Sequence, residues 1–241
     1  MNKIYIFALL PLFFGLSCNS SKTQVQRADG VQQMNEEQIK PFKLSRNEKK
    51  EGFKILFDGT SMELWTSNAN EYKLENGCIV MRPSEGGYSN LYSKNTYDNF
   101  VLKFDFLLTP GSNSGLGLRH KIVNSKSGYD GMELQILDNS ADIYKDLKPY
   151  QYHGSIYGWI PAKRGFLNPV GEWNHQEVIA NGDNIKVILN GTIIVDGNLK
   201  EAIEKVTPDK VPESLFYRIG HIAFLGHDSV IKLKNIRIKE L

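Results

Sequence analysis

Polar and apolar residues alternate with a period of two from Gly52 to the end of the chain. In the segment FVLKFDFLL, which begins at Phe100, every second residue is apolar, and Lys103 and Asp105 fall on the opposite face. Successive side chains of a β-strand point to opposite faces of a sheet, so this pattern predicts a strand with one buried face. Similar short runs are separated by Gly, Asn, Asp and Pro, namely GCIVMRP, SNLYSK, SGLGLRHKI, GMELQIL, NHQEVIA, HIAFLG and VIKLKNIRIK.

Two local signals add detail to this strand pattern, one for a turn and one for a bulge. Asn190-Gly191, within NIKVILNGTIIVDG, is the dipeptide that best suits a two-residue hairpin turn, so antiparallel strands are predicted on either side of it. In the last segment the apolar residues change from odd to even positions between Leu233 and Ile236. A shift of this kind predicts a β-bulge near Asn235.

Helix signals are scarce in the same region. The one helix predicted there is a turn or two in LKEAIEKV, ended by Pro208. About a dozen antiparallel strands with almost no helix predict an all-β fold, a two-sheet antiparallel β-sandwich, rather than a parallel α/β fold. The sequence shows no internal repeat and no second domain.

The segments SGLGLRHK and GMELQIL are predicted to pair as a hairpin with a polar outer face. If their apolar residues face the core, Gly115, Gly117 and Arg119 share the opposite face, and so do Glu133 and Gln135. Glycine weakens a strand unless something needs close access to the backbone, and burying an unpaired carboxylate is costly. The face therefore suits a flat hydroxylated ligand. The alternative is a solvated outer face with an ordinary Arg–Glu surface pair.

Aromatic residues are concentrated in the segment YQYHGSIYGWIP, which spans Tyr150 to Pro161, and GEWN adds Trp173. Sugar rings stack on aromatic faces, so an aromatic loop beside a polar groove favours carbohydrate, whereas burial in the core is the alternative. The five histidines show no metal-ligand spacing, and neither a nucleophile elbow nor a phosphate loop is present. No cofactor is predicted, although the many loop Asp and Asn residues leave a structural calcium ion open.

The N-terminal residues have the form of an export signal. Lys3 precedes an apolar run, residues 4–14, that is too short to span a membrane, and Cys18 follows small residues. The stretch FGLSCNSSK resembles a bacterial lipoprotein signal, in which the cysteine becomes the lipidated first residue. The predicted organisation is a signal peptide at 1–17, a flexible tether at 18–50 and one domain at 51–241, with an ordinary cleaved signal as the alternative.

This organisation predicts the location and the redox state. Lipidation of Cys18 would place the protein in the cell envelope as a periplasmic or outer-membrane lipoprotein, with the membrane as a partner. Cys78 would then be the only remaining cysteine, and its apolar surroundings indicate a buried, inert thiol.

Charge composition excludes one class of partner. The chain has 29 basic and 27 acidic residues, without a block of like charge. Nucleic-acid binding depends on clustered Lys and Arg, so no nucleic-acid partner is predicted.

Motifs spread over the predicted domain resemble the 3-keto-disaccharide hydrolase family, long known only as a domain of unknown function. They occur in family order from about Gly52 to Leu241, and they are GFKILFDGTSMELW, NSGLGLR, YDGMELQILD, GSIYG, GEWNH, LNG and HDSVIKLKNIRIKEL. The resemblance implies a jelly-roll sandwich of the concanavalin A-like lectin/glucanase type and a groove that binds carbohydrate.

The resemblance also implies the residues of the groove. Glu133, Arg119 and His227 are the expected catalytic residues, with Tyr157 as an alternative to His227 for the acid. The expected substrate-binding residues are Asn113, Gln135, Asp138, His153 and Tyr157.

Three functions remain open at this point. A ketone at C3 of a sugar acidifies the C2 hydrogen, so Glu133 as base, Arg119 as oxyanion donor and His227 as acid would allow elimination at C1 followed by addition of water. The stretch ELQILD also has the spacing of an endo-glucanase strand, but Gln135 and Asp138 replace two of its acids, which disfavours double displacement. A non-catalytic carbohydrate-binding module is the third reading.

Overall fold

The alternating segments form antiparallel strands in the computed structural model, which describes residues 39–67, 70–82, 89–123, 130–204, 211–227 and 229–241. In these residues there are thirteen strands and two α-helices, α1 (Arg46–Lys50) and α2 (Leu199–Ile203). The strands are β1 (Lys54–Phe57), β2 (Trp65–Ser67), β3 (Tyr72–Glu75), β4 (Cys78–Met81), β5 (Asn90–Tyr97), β6 (Phe100–Leu108), β7 (Asn113–His120), β8 (Met132–Leu137), β9 (Trp173–Asn181), β10 (Asn184–Leu189), β11 (Thr192–Asn198), β12 (Gly220–His227) and β13 (Ile231–Glu240). Short 3₁₀-helices span Asp142–Tyr144, Pro149–Gln151 and Glu213–Phe216.

The strands assemble into two sheets. Sheet I has eight strands in the order β11-β10-β9-β6-β13-β4-β3, with β1 also paired to β13. Sheet II has five strands in the order β2-β5-β12-β7-β8. The predicted two-sheet antiparallel sandwich is therefore confirmed.

The core lies between the inner faces of the two sheets. Phe100, Phe104 and Phe106 of β6 are fully buried, and Phe104 meets Phe224 of β12 edge to face, with ring centroids 5.4 Å apart. Leu116 and Leu134 line the same core from the β7–β8 pair. The alternation read from the sequence thus identifies the inner face of both sheets.

The predicted hairpin turn and the predicted bulge in β13 are both present. Asn190 and Gly191 have φ angles of 49° and 84°, the left-handed conformation that the tight turn between β10 and β11 requires. The pairing of β13 with β6 shifts between Lys234 and Arg237, and Asn235 has a φ of 53°. This bulge turns Leu233 and Ile236 to the same core.

A second bulge, in β7, is not visible in the sequence pattern. Between the pairs Ala223–Gly117 and His221–His120, two residues of β7 face one residue of β12. Arg119 lies in the bulge with a φ of 56°, and a Cβ on Gly220 would overlap its carbonyl group. A glycine at position 220 is therefore needed for the two strands to pass.

The residues that precede β1 pack against sheet I. The Phe42 amide donates to the Asp58 carbonyl at 2.8 Å, and the Arg237 Nε donates to the Glu48 carboxylate at 2.7 Å. The compact unit that contains both sheets includes the described residues 39–50, which lie in the segment assigned to the tether. The predicted signal peptide, Cys18 and the rest of the tether lie outside the described residues.

Two further observations concern the described residues. No helix in the described ranges is both long enough and apolar enough to cross a membrane. Cys78 is a free, buried thiol whose pKa is raised by burial, in agreement with an inert cysteine.

The open side of the sandwich next to β8 is closed by residues 154–163. The Gln135 amide donates to the Ser155 carbonyl at 3.0 Å, and the Gly154 amide donates to the Gln135 carbonyl at 2.7 Å. The Tyr157 amide donates to the Glu133 carbonyl at 2.9 Å. At its other end the Lys163 amide donates to the Ile194 carbonyl of β11 at 2.9 Å. We call residues 154–163 the side segment.

Candidate functional site

The outer face of the β7–β8 pair carries a row of polar side chains, as predicted. Gly115 pairs with Gln135 and Gly117 with Glu133, so these residues share the face opposite the core. His227, the last residue of β12, pairs with Asn113 on the neighbouring strand. We call the surface formed by Asn113, Gly115, Glu133, Gln135 and His227 the polar face.

The Glu133 carboxylate lies over Gly115. A Cβ on Gly115 would overlap its Oε1 and lie 2.8 Å from its Cδ. The side chain extends from β8 across β7 towards β12, and its Oε1 is 4.0 Å from Nε2 of His227. Glycine at position 115 is thus a requirement for bringing this carboxylate near this imidazole.

Burial controls the ionisation of Glu133. Its side chain is 7% exposed, and within the described residues the carboxylate accepts no hydrogen bond. Burial therefore raises the pKa of Glu133 to about 7. A carboxyl group with this pKa exchanges its proton near neutral pH, which is the range in which a general base or acid is most effective.

Gln135 and Asn113 form an amide pair beside the carboxylate. The Gln135 Nε2 donates to the Asn113 Oδ1 at 2.7 Å, and Gln135 is 4% exposed. The backbone amide of Asn113 donates to the Ser229 hydroxyl at 3.0 Å. The side chains of Gln135 and Asn113 are therefore bonded to each other on the polar face, and the Asn113 backbone is anchored to Ser229.

Tyr157 lies at the rim, on the side segment that extends sheet II beyond β8. Its side chain is 36% exposed, and its hydroxyl accepts from the Gln151 Nε2 at 2.8 Å. The backbone contact between Tyr157 and Glu133 brings this aromatic ring next to the strand that carries the carboxylate.

The prediction that Arg119 shares the polar face is wrong. Its guanidinium donates to the Asp98 carbonyl at 2.7 Å, the Gly182 carbonyl at 2.9 Å and the Asn99 Oδ1 at 3.1 Å. The β7 bulge interrupts the alternation at this residue and directs the side chain into these loops. Arg119 therefore joins two loops and is not placed to stabilise an oxyanion over Glu133.

His120 takes the place that the alternation assigned to Arg119. Its ring lies where side chains on Gly117 and Gly131 would be, 2.7 Å from a Cβ on Gly117. The ring is fully buried, and burial lowers the pKa of His120 to about 4. The second of the two glycines is thus covered by a neutral imidazole. Only the shift of register reveals this residue, because the sequence gives no sign of it.

Asp138 does not form part of the polar face. Its Oδ2 accepts from the Gly111 amide at 2.8 Å, and its Oδ1 accepts from the Ser140 amide at 2.9 Å. Burial opposes ionisation, but hydrogen bonds from Ser140 and Gly111 outweigh it and lower the pKa of Asp138. The side chain therefore fixes the loop after β8, and its predicted contact with substrate in the groove is not supported.

His153 is a core histidine, so its predicted place in the groove is also wrong. Its ring stacks on Phe106, with centroids 5.0 Å apart, and its Nε2 lies 3.0 Å from the Gln176 Oε1. Burial lowers the pKa of His153 to about 4, so the ring is neutral. It is 1% exposed between the two sheets and cannot meet a substrate on the outer face.

The aromatic residues of the loops are dispersed. Tyr152 is buried beneath Arg164, and Trp173 lies on sheet I, where the Lys234 Nζ is 3.8 Å from its ring centroid. Tyr157 and Trp159 lie on the side segment, next to β8. Across the described ranges no three His, Cys, Asp or Glu side chains are grouped to hold a metal ion.

Comparison with known families assigns the chain to a family. Residues 52–239 match the 3-keto-alpha-glucoside-1,2-lyase-like domain, and the chain belongs to that family. The matched range contains all thirteen strands of the described residues except Glu240, the last residue of β13.

One curated relative carries the name of an activity. The chain is 26% identical over 239 residues to a 3-keto-disaccharide hydrolase of Bacteroides thetaiotaomicron, and the alignment covers 79% of each protein.

Solved structures agree with the fold. A provisionally assigned glycosyl hydrolase from Parabacteroides distasonis has a TM-score of 0.72 at 24% identity, covering 84% of this chain and all of the other. A second provisionally assigned glycosyl hydrolase from the same organism has a TM-score of 0.64 at 28% identity, covering 78% of this chain and 99% of the other.

Proposed function

We propose that this protein cleaves 3-keto-glycosides by elimination, with Glu133 as the base. The observation that carries the proposal is a buried carboxylate, over Gly115, whose pKa is raised to about 7 and whose oxygen faces His227 at 4.0 Å. The name of the family and that of the Bacteroides relative support a sugar oxidised at C3 as the substrate.

The chemistry needs one base, one donor to the ketone and one acid. Glu133 removes the C2 hydrogen as a proton, and the electron pair of that bond forms an enolate with the C3 carbonyl. Collapse of the enolate forms the C1–C2 double bond and breaks the bond from C1 to the leaving oxygen, which takes a proton from His227. Water then adds its hydroxyl to C1 and its hydrogen to C2, so the net reaction is hydrolysis.

The amide pair replaces Arg119 in the proposed arrangement. The Gln135 Nε2 donates to the Asn113 Oδ1 at 2.7 Å, and both residues share the polar face with Glu133. Donors that are already oriented stabilise a developing oxyanion without reorganisation at the moment of reaction. In this proposal Gln135 and Asn113 bind the C3 oxygen of the substrate and stabilise its negative charge.

Double-displacement hydrolysis is disfavoured by the position of the second acid. A retaining glycosidase needs two carboxyl groups about 5–5.5 Å apart. Asp138 lies five positions beyond Glu133, about 16 Å along an extended strand, and its oxygens are bound to Gly111 and Ser140. Proton removal by a single carboxylate fits the polar face better.

We also propose a lipid-anchored location in the cell envelope. This rests on the apolar run that ends at Cys18 and on the polar segment that follows it. A carbohydrate substrate reaching the envelope from outside the cell is consistent with this location.

Glu133→Gln tests the proposed function with a matched control. The variant should lose at least about 100-fold in turnover of a 3-keto-glucoside, the usual contribution of a general base. Glu177→Gln removes a strand glutamate that pairs with Lys103 on sheet I, and it should keep its activity. Equal activity of the two variants would remove Glu133 from the mechanism. Tight binding of 3-keto and plain glycosides without cleavage of either would identify a binding module instead.

A further inference from the structure

A pocket lies on the side wall of the sandwich, between the side segment and the end of β11. It has a volume of about 290 Å³ and is lined by Trp159, Ile160 and Pro161 of the side segment and by Gly197, Asn198 and Glu201 at the end of β11 and the start of α2. We call it the side pocket.

The side segment connects the side pocket to the polar face. The backbone amide of Tyr157 donates to the Glu133 carbonyl, and Trp159 lies two residues further along the chain. Two residues span at most about 7 Å of chain. A chain of sugars that leaves the polar face over the edge of β8 would therefore pass Tyr157 and meet Trp159.

The lining of the side pocket combines the groups that recognise a neutral sugar. The indole of Trp159 and the aliphatic surface of Ile160 and Pro161 match the apolar C–H face of a pyranose ring. Glu201 and Asn198 provide carboxylate and amide groups for the hydroxyls at its edge. Among the described residues that line the side pocket there is no cation, and the Glu201 carboxylate disfavours an anionic ligand.

Local contacts hold the pocket in shape. Trp159 is partly buried and packs against the hydrophobic core, which restricts the movement of its ring. The Asn198 Oδ1 accepts from the Glu201 amide at 3.2 Å, and its Nδ2 donates to the Asn184 Oδ1 at 2.9 Å. A Cβ on Gly197 would lie 3.0 Å from Cδ1 of Ile160, so the glycine allows β11 and the side segment to approach closely.

We propose that the side pocket is a saccharide subsite that binds a sugar unit beyond the bond cleaved at Glu133. The substrate is then a neutral oligosaccharide of at least three units rather than a disaccharide alone. This inference rests on the proposed function for the position of the cleaved bond, whereas binding of a sugar at Trp159 can be measured without any turnover.

Calorimetry with Trp159→Ala, in a Glu133→Gln background, tests the subsite. The titrants are the di-, tri- and tetrasaccharides of the maltose and cellobiose series, plain and oxidised to the 3-ketone. Loss of the stacking surface should weaken binding of trisaccharides and longer sugars about tenfold, with little change for the disaccharides. Trp173→Ala is the matched control, because that tryptophan lies on the outer face of sheet I.

Two further variants guard against loss of the fold. Trp159→Phe keeps an aromatic surface and should restore most of the trisaccharide affinity. Glu201→Ala changes an exposed side chain and should weaken the binding of the same sugars. The subsite does not exist if neither Trp159→Ala nor Glu201→Ala lowers the trisaccharide affinity more than Trp173→Ala does. It does not exist either if no sugar binds to any of the proteins.

The outcomes separate the subsite from the proposed function. Cleavage of a 3-keto-disaccharide by the wild type, together with equal trisaccharide affinities of Trp159→Ala and Trp173→Ala, would overturn the subsite alone. Failure to cleave any 3-keto-glycoside, together with a selective loss of trisaccharide affinity in Trp159→Ala, would overturn the proposed function and leave the subsite in place.

Discussion

The carboxylate of Glu133 occupies the space that a side chain at Gly115 would fill on the neighbouring strand. The two residues are not directly paired, because Gly115 lies opposite Gln135 and Glu133 lies opposite Gly117. The carboxylate therefore reaches diagonally across the strand pair to approach His227 on β12. The position of the proposed base depends on this glycine.

Gly115→Ala should destabilise the protein only while Glu133 is present. The added methyl must displace the carboxylate, and overpacking of this kind costs about 1–3 kcal/mol. Turnover of a 3-keto-glucoside should fall as well, because the base is moved from its position. In a Glu133→Ala background the methyl meets no carboxylate, so the cost should disappear.

Gly117→Ala provides the control for this cycle. A Cβ at position 117 meets the His120 ring rather than Glu133, so its cost should persist in the Glu133→Ala background. Denaturant unfolding of the single and double variants gives the coupling free energies. Independent effects of Gly115→Ala and Glu133→Ala would contradict the contact.

Glu133→Gln should stabilise the protein at alkaline pH. The folded pKa of about 7 lies above the ordinary value of 4.5, so the folded state holds this proton more tightly than the unfolded state. Stability contributed by the protonated carboxyl is complete below pH 4.5 and is lost as the pH rises through 7. The glutamine removes this loss, which is about 3 kcal/mol at most.

Thermal unfolding of the wild type and of Glu133→Gln at a series of pH values measures this effect. The difference in Tm should be smallest near pH 4.5 and should grow in favour of the variant up to pH 8. A variant that is less stable than the wild type at pH 8 would show that Glu133 has a stabilising partner when it is ionised.

Arg119→Ala should lower stability and leave the catalytic rate of the folded protein unchanged. Removal of the guanidinium leaves the carbonyls of Asp98 and Gly182 without their donor. The cost should be about 2 kcal/mol or more. The measurement is Tm together with kcat at a temperature well below the transition. A large fall in kcat at unchanged Tm would show that Arg119 takes part in catalysis.

The hydrophobic pattern was sufficient to predict the sandwich and the bulge at Asn235. There the apolar residues themselves change parity, because Leu233 and Ile236 both have to reach the core. At Arg119 the residues on either side of the bulge give no such signal. His120 is polar, and its burial depends on space left by Gly117 and Gly131, which belong to different parts of the hairpin.

Strand alternation predicted part of the candidate site, whereas Asn113, Tyr157 and His227 were implied by the family resemblance. Glu133, Gln135 and Asn113 lie in regular strands, so their shared face follows from the pairing of β7 with β8. Asp138 and His153 lie in or next to loops, and their environments are set by tertiary contacts with Gly111 and Phe106. No periodicity in the sequence encodes those contacts.

Cys18→Ser should move the protein from the membrane fraction to the soluble fraction of cells that express the full chain. The reason is that the cysteine is the proposed site of lipid attachment, and an apolar run of this length does not span a bilayer. Fractionation and mass spectrometry of the mature N-terminus check the prediction. A mature N-terminus at another residue, or an unchanged membrane fraction, would contradict the anchor.

Isotope exchange at C2 of the sugar tests the elimination mechanism most directly. A 3-keto-glucoside carrying deuterium at C2 should be cleaved, with solvent hydrogen replacing the deuterium in the product, while the plain glucoside should remain intact. The exchange should disappear in Glu133→Gln and persist in Glu177→Gln. Rapid cleavage of the plain glucoside with full retention of C2 deuterium would contradict proton removal by Glu133 and indicate direct hydrolysis.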